Sequence, residues 1–134
     1  MSSREPRVFV VNRSAHDYQD ARRYGELVYV TTGRQRYYTV NNHARLWMEA
    51  LKDSQPHDYI ILSSLNILCS IGCALFAMLH GHLNFLLYHK GKYVERTLDL
   101  KDMLDAENID PRWANRLYLH TMEELESTDG TSSE

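Results

Sequence analysis

The sequence predicts an α/β or α+β fold: a single mixed β-sheet of about five to six strands, a central buried helix, and two carboxy-terminal helices. Three observations predict it. Two short apolar runs, "RVFVVN" and "YIILSS", stop abruptly on polar residues and lead into helical patterns, as strands inside a sheet do. Other segments alternate in polarity and carry glycine at their turns, as hairpins do. The stretch "LNILCSIGCALFAMLHG" is apolar on nearly all sides, which suits a helix inside the core.

In chain order, the β-branched run from Arg7 to Asn12 is the first strand. Ser14 precedes Asp17 by three, the spacing of a capping box, and Gly25 closes a short helix over 15–24. "ELVYVTTG" reads as a strand and "RQRYYTV" as its basic hairpin partner. "NNHARLWMEALKD" begins on asparagine caps and places Ala44, Trp47, Ala50 and Leu51 on one face of a helix. Asp58 leads into the strand that ends on Ser63 and Ser64, and the apolar helix follows. "LNFLLYH" and "KYVERTLDL" form a second hairpin with Gly91 in its turn. Beyond Leu100 come two polar helical patterns, the second opened by Pro111. The chain of 134 residues has the length of one domain. That domain is expected over residues 1–126, with a disordered acidic tail over 127–134.

Charge is uneven along the chain. Residues 1–50 hold eight arginines against five acids, whereas residues 97–134 hold ten acids against three basic residues. An arginine-rich half suits phosphate or carboxylate ligands, since guanidinium pairs with both in bidentate fashion. The net charge of −3 argues against long nucleic-acid tracks. The opening "MSSREPR" has no apolar signal core, and the longest apolar run is too short to span a bilayer. A cytoplasmic protein without membrane contact is the expectation.

Metal and cofactor motifs are not read from the chain. His80 and His82 flank Gly81, but no third ligand stands at a metal-binding spacing. There is no glycine-rich phosphate loop and no G-x-S-x-G frame. Cys69 and Cys73, four residues apart, read as small core residues on one helical face.

The candidate site follows from the two apolar strands. If they lie parallel, both exits emerge at the carboxyl edge of the sheet, where open α/β sheets bind ligands. Asn12, Arg13, Ser14 and His16 would then face Ser63, Ser64 and Asn66 across a crevice that receives helix amino termini and favours an anion. A plainer reading stands beside it. Ser14 with Asp17, and Ser63 with Ser64 and Asn66, are also what helix caps require, and Asn12 could bond only to its local loop. Tyr37 and Tyr38, between Arg34, Arg36 and Arg45, could stack on a base while the arginines hold phosphate, or could simply pack on a sheet.

The run "VVNRSAHDYQDARRYGELVYVTTG", continued through "DYIILSS" to "LNFLLYHKGKYVER", resembles small phage-encoded proteins. In size and layout it is similar to the sponges that withhold nucleotide immune signals in Thoeris and cyclic-oligonucleotide counter-defence. The resemblance implies a homo-oligomeric binder whose pockets are completed by neighbouring subunits. The leading expectation is sequestration of a small anionic, nucleotide-derived molecule without turnover. Two alternatives remain. One is a small enzyme acting on nucleotide or sugar-phosphate bonds with His16 as acid or base. The other is a protein–protein inhibitor anchored by Trp113 and Tyr118.

Overall fold

A computed structural model describes residues 4–13, 17–34, 36, 39–63, 65–105, 110–113, 115 and 116. The chain divides into two compact units, residues 1–98 and 99–134.

The first unit is a five-stranded mixed sheet with the order β2, β1, β3, β4, β5. Its strands are β1 (Arg7–Arg13), β2 (Glu26–Thr32), β3 (Tyr59–Ile61), β4 (His82–His89) and β5 (Lys92–Asp99). β1 runs parallel to both β2 and β3, and β3 runs parallel to β4. A two-residue turn with positive φ at Lys90 (49°) and Gly91 (86°) joins β4 to β5 as a tight hairpin, the geometry that matches strand twist.

The connections explain how each face is covered. β1 alternates, and Phe9 and Val11 pack with Trp47 and Leu51 of α1 (Val40–Leu51) and with Leu68, Cys69 and Phe76 of α2 (Asn66–His80). Val8 and Val10 face the other way, onto Ala21 of a 3-10 helix (Gln19–Tyr24), Ile61, Leu86 and a set of tyrosines that includes Tyr18, Tyr24, Tyr29, Tyr59 and Tyr93. The chain therefore leaves β1 over one face and leaves β2 and β3 over the other. A ligand-binding crevice in such a sheet opens at the reversal, between β1 and β3.

Several expectations are corrected. The hairpin partner expected after β2 is not found among the described residues: Arg34, Arg36 and Thr39 lie outside any strand, Val40 already begins α1, and β2 pairs with β1 in parallel at the border of the sheet. The polarity alternation of "RQRYYTV" imitates a strand, but Gln35, Tyr37 and Tyr38 lie outside the described residues. The helix after β1 begins at Gln19 and is a 3-10 turn; Asp17 Oδ1 accepts from the Gln19 N–H at 2.9 Å. α1 starts without a side-chain cap, its asparagines lying inside the first turn rather than before it. α2 is largely apolar yet buries only one face: Met78 is 78 % exposed and Leu79 59 %, while Phe76 is fully covered.

In the second unit, α3 (Leu100–Asp105) is followed by helical residues from Pro111. Arg112 pairs with Asp110 at 3.0 Å, and Arg116 lies over the exposed ring of Trp113. Tyr118 and the 127–134 tail lie outside the described residues.

At the amino edge of the sheet, Asp58 is fully buried just before β3. Arg4 grips it with both guanidinium nitrogens (2.9 and 2.7 Å), and the backbone N–H groups of Arg7 and Gln55 donate to the two carboxylate oxygens at 2.9 and 2.8 Å. Burial alone pushes this carboxyl upward. The hydrogen bonds from Arg4, Gln55 and Arg7 outweigh it and hold the group below the ordinary carboxylate value.

Candidate functional site at the carboxyl edge

β1 ends on Asn12 and Arg13, and β3 leads through Ser63 and Leu65 into α2. Because β1 and β3 are adjacent and parallel, both exits reach the same edge. β2, also parallel, brings Thr32, Gly33, Arg34 and Arg36 there before α1 begins.

Asn12 is committed to the fold. Its Nδ2 donates to the Gly33 carbonyl at 2.8 Å, and its Oδ1 accepts from the Thr31 hydroxyl, also at 2.8 Å. That hydroxyl also lies 2.7 Å from the Val11 carbonyl, and the Gly33 N–H donates back to the Arg13 carbonyl at 3.2 Å. These bonds satisfy the amide at the end of an apolar strand, as burial demands, and clamp the exits of β1 and β2 together.

Arg13 is different. It is exposed, with its guanidinium 5.0 Å from the centre of the Tyr29 ring, within cation–π range. Arg34, Arg36 and Arg45 are exposed as well, and among the described residues none of these four arginines is in an ion pair. The Arg36 carbonyl accepts from His43 Nε2, tying the connection to the first turns of α1.

Two helix amino termini meet this edge. α1 follows Thr39 and α2 follows Leu65, and neither has a side-chain cap or an acid in its first turn. Ser63 Oγ accepts from the Leu65 N–H at 3.3 Å, just ahead of the helix. The amino termini of both helices therefore lie at the same edge as the arginines, while Arg13 rests on Tyr29, which packs on the face of the sheet opposite the helices.

Of the expected site residues, Asn12, Arg13, Ser63 and Asn66 stand at this edge, whereas Ser14, His16 and Ser64 lie outside the described residues. The alternation of "RQRYYTV" predicts a strand for Arg34 and Arg36; the signal that places them here is that they come one and three residues after Gly33, at the exit of a parallel strand.

The fold and this edge define a small, mainly parallel α/β protein with a basic carboxyl face. The chain belongs to the phage Pam3 gp32-like protein family, whose model matches residues 6–100. The match takes in nearly the whole first unit and ends at the start of α3. No curated protein and no solved structure matches the chain. No helix among the described residues is long and apolar enough to cross a membrane.

Proposed function

We propose that this phage protein binds and withholds a small anionic, nucleotide-derived molecule at the carboxyl edge of its parallel strands, in the cytoplasm of the infected cell and as a homo-oligomer. The observation that carries the reading is that Arg13, Arg34 and Arg36, free of ion pairs among the described residues, follow parallel strands out of the same edge at which α1 and α2 begin. Phosphate suits both partners: guanidinium grips it in bidentate fashion, and helix N–H groups donate to its oxygens. The Arg13–Tyr29 stack adds a flat surface beside the anion position, on which a base can lie.

Native mass spectrometry of the protein after incubation with a cyclic dinucleotide, followed by heat release, tests this. Recovery of the intact compound, with a mass showing more than one chain, supports sequestration. Recovery of a cleaved product supports an enzyme instead. A protein that takes up neither the dinucleotide nor any simpler phosphate compound removes the reading.

A further inference from the structure

The two borders of the sheet differ in chemistry. β5 closes one border and carries Lys92, Glu95, Arg96 and Asp99 among its eight residues. Charges of this density keep a foreign strand from adding to an edge. β2 closes the other border as "ELVYVTT", whose single charge is its first residue and which contains no proline, lysine or glycine. Among the described residues no strand lies on its outer side. Leu27, Val28, Tyr29 and Val30 stay only half-buried, although β1 covers their inner flank. An edge strand of this kind, apolar and without a guarding charge, is a template for one more strand.

We propose that a second copy of this chain docks on β2, its own β2 adding antiparallel across a two-fold axis, so that two five-stranded sheets become one. This names the interface of the homo-oligomer proposed above and rests on that reading. The sequence of β2 favours a copy of itself over an unrelated strand, because it reads nearly the same in both directions from Tyr29. Antiparallel pairing centred there sets Tyr29 against its own counterpart, Val28 against a Val30 and Leu27 against a Thr31. Aromatic and β-branched cross-strand pairs are among those that stabilise a sheet, and a surface that complements itself is what a two-fold contact requires. Both apolar layers also run on into the second copy: Val28 and Val30 belong to the layer under the helices, Leu27 and Tyr29 to the tyrosine layer.

The ends of the strand match in charge. Glu26 opens β2 and Arg34 follows just past its end, and both are exposed. Antiparallel pairing brings each Glu26 to the end at which the other copy carries Arg34, whereas a parallel pairing in register would set Glu26 beside Glu26.

Sedimentation velocity of the full-length protein over a concentration series, with hydrogen exchange on the same ligand-free samples, tests the interface. A monomer–dimer transition is expected, and amide exchange in residues 26–32 should slow as the dimer forms while exchange in β5 stays constant. Glu26→Arg and Arg34→Glu each put like charges at both ends of the paired strands and should weaken the homodimer about tenfold. An equimolar mixture of the two variants restores opposite charges at both ends and should form a heterodimer about as strong as the unaltered homodimer. Melting curves verify that both variants are folded. A protein that stays monomeric at every concentration removes the homo-oligomer and this interface together. An oligomer that ignores both substitutions, with slowed exchange outside β2, leaves the homo-oligomer standing and overturns β2 as its interface.

Discussion

The benzo edge of Trp47 lies where Gly72 would carry a side chain: a Cβ at position 72 would come 2.3 Å from Trp47 Cζ2 and 2.4 Å from Cε2. α1 and α2 approach closely because one helix supplies the largest side chain and the other supplies none. On an open helix surface, glycine to alanine stabilises by roughly 0.5–1 kcal/mol. Here the added methyl meets a fully buried ring, and overpacking costs about 1–3 kcal/mol. Gly72→Ala is expected to lower the urea midpoint; a higher midpoint would show that the two helices separate without penalty.

Asp58 makes a second prediction, about acid. Its folded value lies below the ordinary one, so the carboxylate stabilises the fold above its unfolded value near 4, and the contribution disappears as the pH drops through the depressed folded value. Stability measured from pH 6 down to pH 2 should fall steeply below about pH 4 in the native protein, and this component should be missing in Asp58→Asn. Asp58→Ala leaves the N–H groups of Arg7 and Gln55 and the Arg4 guanidinium without their acceptor, at a cost of about 3–5 kcal/mol. Arg4→Ala should cost less, since Arg4 is 27 % exposed and water reaches its place.

Neighbouring residues at the end of β1 should behave oppositely. Asn12→Ala removes the clamp on Gly33 and Thr31 and should destabilise by about 1–3 kcal/mol. Arg13→Ala should leave the melting temperature within a degree or two, because its described contact is one exposed stack worth about 0.5–1 kcal/mol, while weakening binding of a phosphate ligand roughly ten- to a hundred-fold. Calorimetry that found unchanged affinity in Arg13→Ala would remove this arginine from the site.

Along α2 the cost of truncation should follow burial rather than apolarity. Phe76→Ala is expected to cost about 3–5 kcal/mol and Leu75→Ala distinctly less, since Phe76 is enclosed by the core and Leu75 only flanks it beside an apolar groove shared with Met48, Leu51 and Leu79. Denaturant midpoints for the two variants check the order.

Much of this fold was legible in local pattern. The β-branched run of β1, the short apolar β3, the Lys90–Gly91 turn and the Trp47–Leu51 face of α1 each carry their own signal. What was not legible depends on partners distant in the chain. Arg34 to Val40 has the alternation of a strand and follows a glycine, and nothing in that local pattern announces that β2 instead pairs in parallel with β1, some 20 residues earlier in the chain. The one-sided burial of α2 was hidden because its outer residues, Met78 and Leu79, are as apolar as its inner ones. At the candidate site, sequence reasoning required the two strand exits to share an edge, and β1 and β3 are adjacent and parallel. It did not foresee that the Asn12 amide is spent on Gly33 and Thr31, since hydrogen-bond partners twenty residues away leave no local trace. Asp58 was seen only as the residue before a strand.

The strand order also carries a message about how the chain is assembled. Val8 pairs with Leu27 on one side and with Tyr59 on the other, so β1 is an interior strand whose second flank is completed only some 50 residues further along the chain. Until then the apolar run Val8–Val11 has an open flank, and each parallel neighbour demands closure of a long loop before any contact repays it. The β4–β5 hairpin, closed by two residues, is the local unit that forms fastest, yet it sits at the far border of the sheet from β2. The return of β3 to β1 is thus the long-range step that closes the open flank of β1, and until it is made this apolar run is exposed to pairing with other copies.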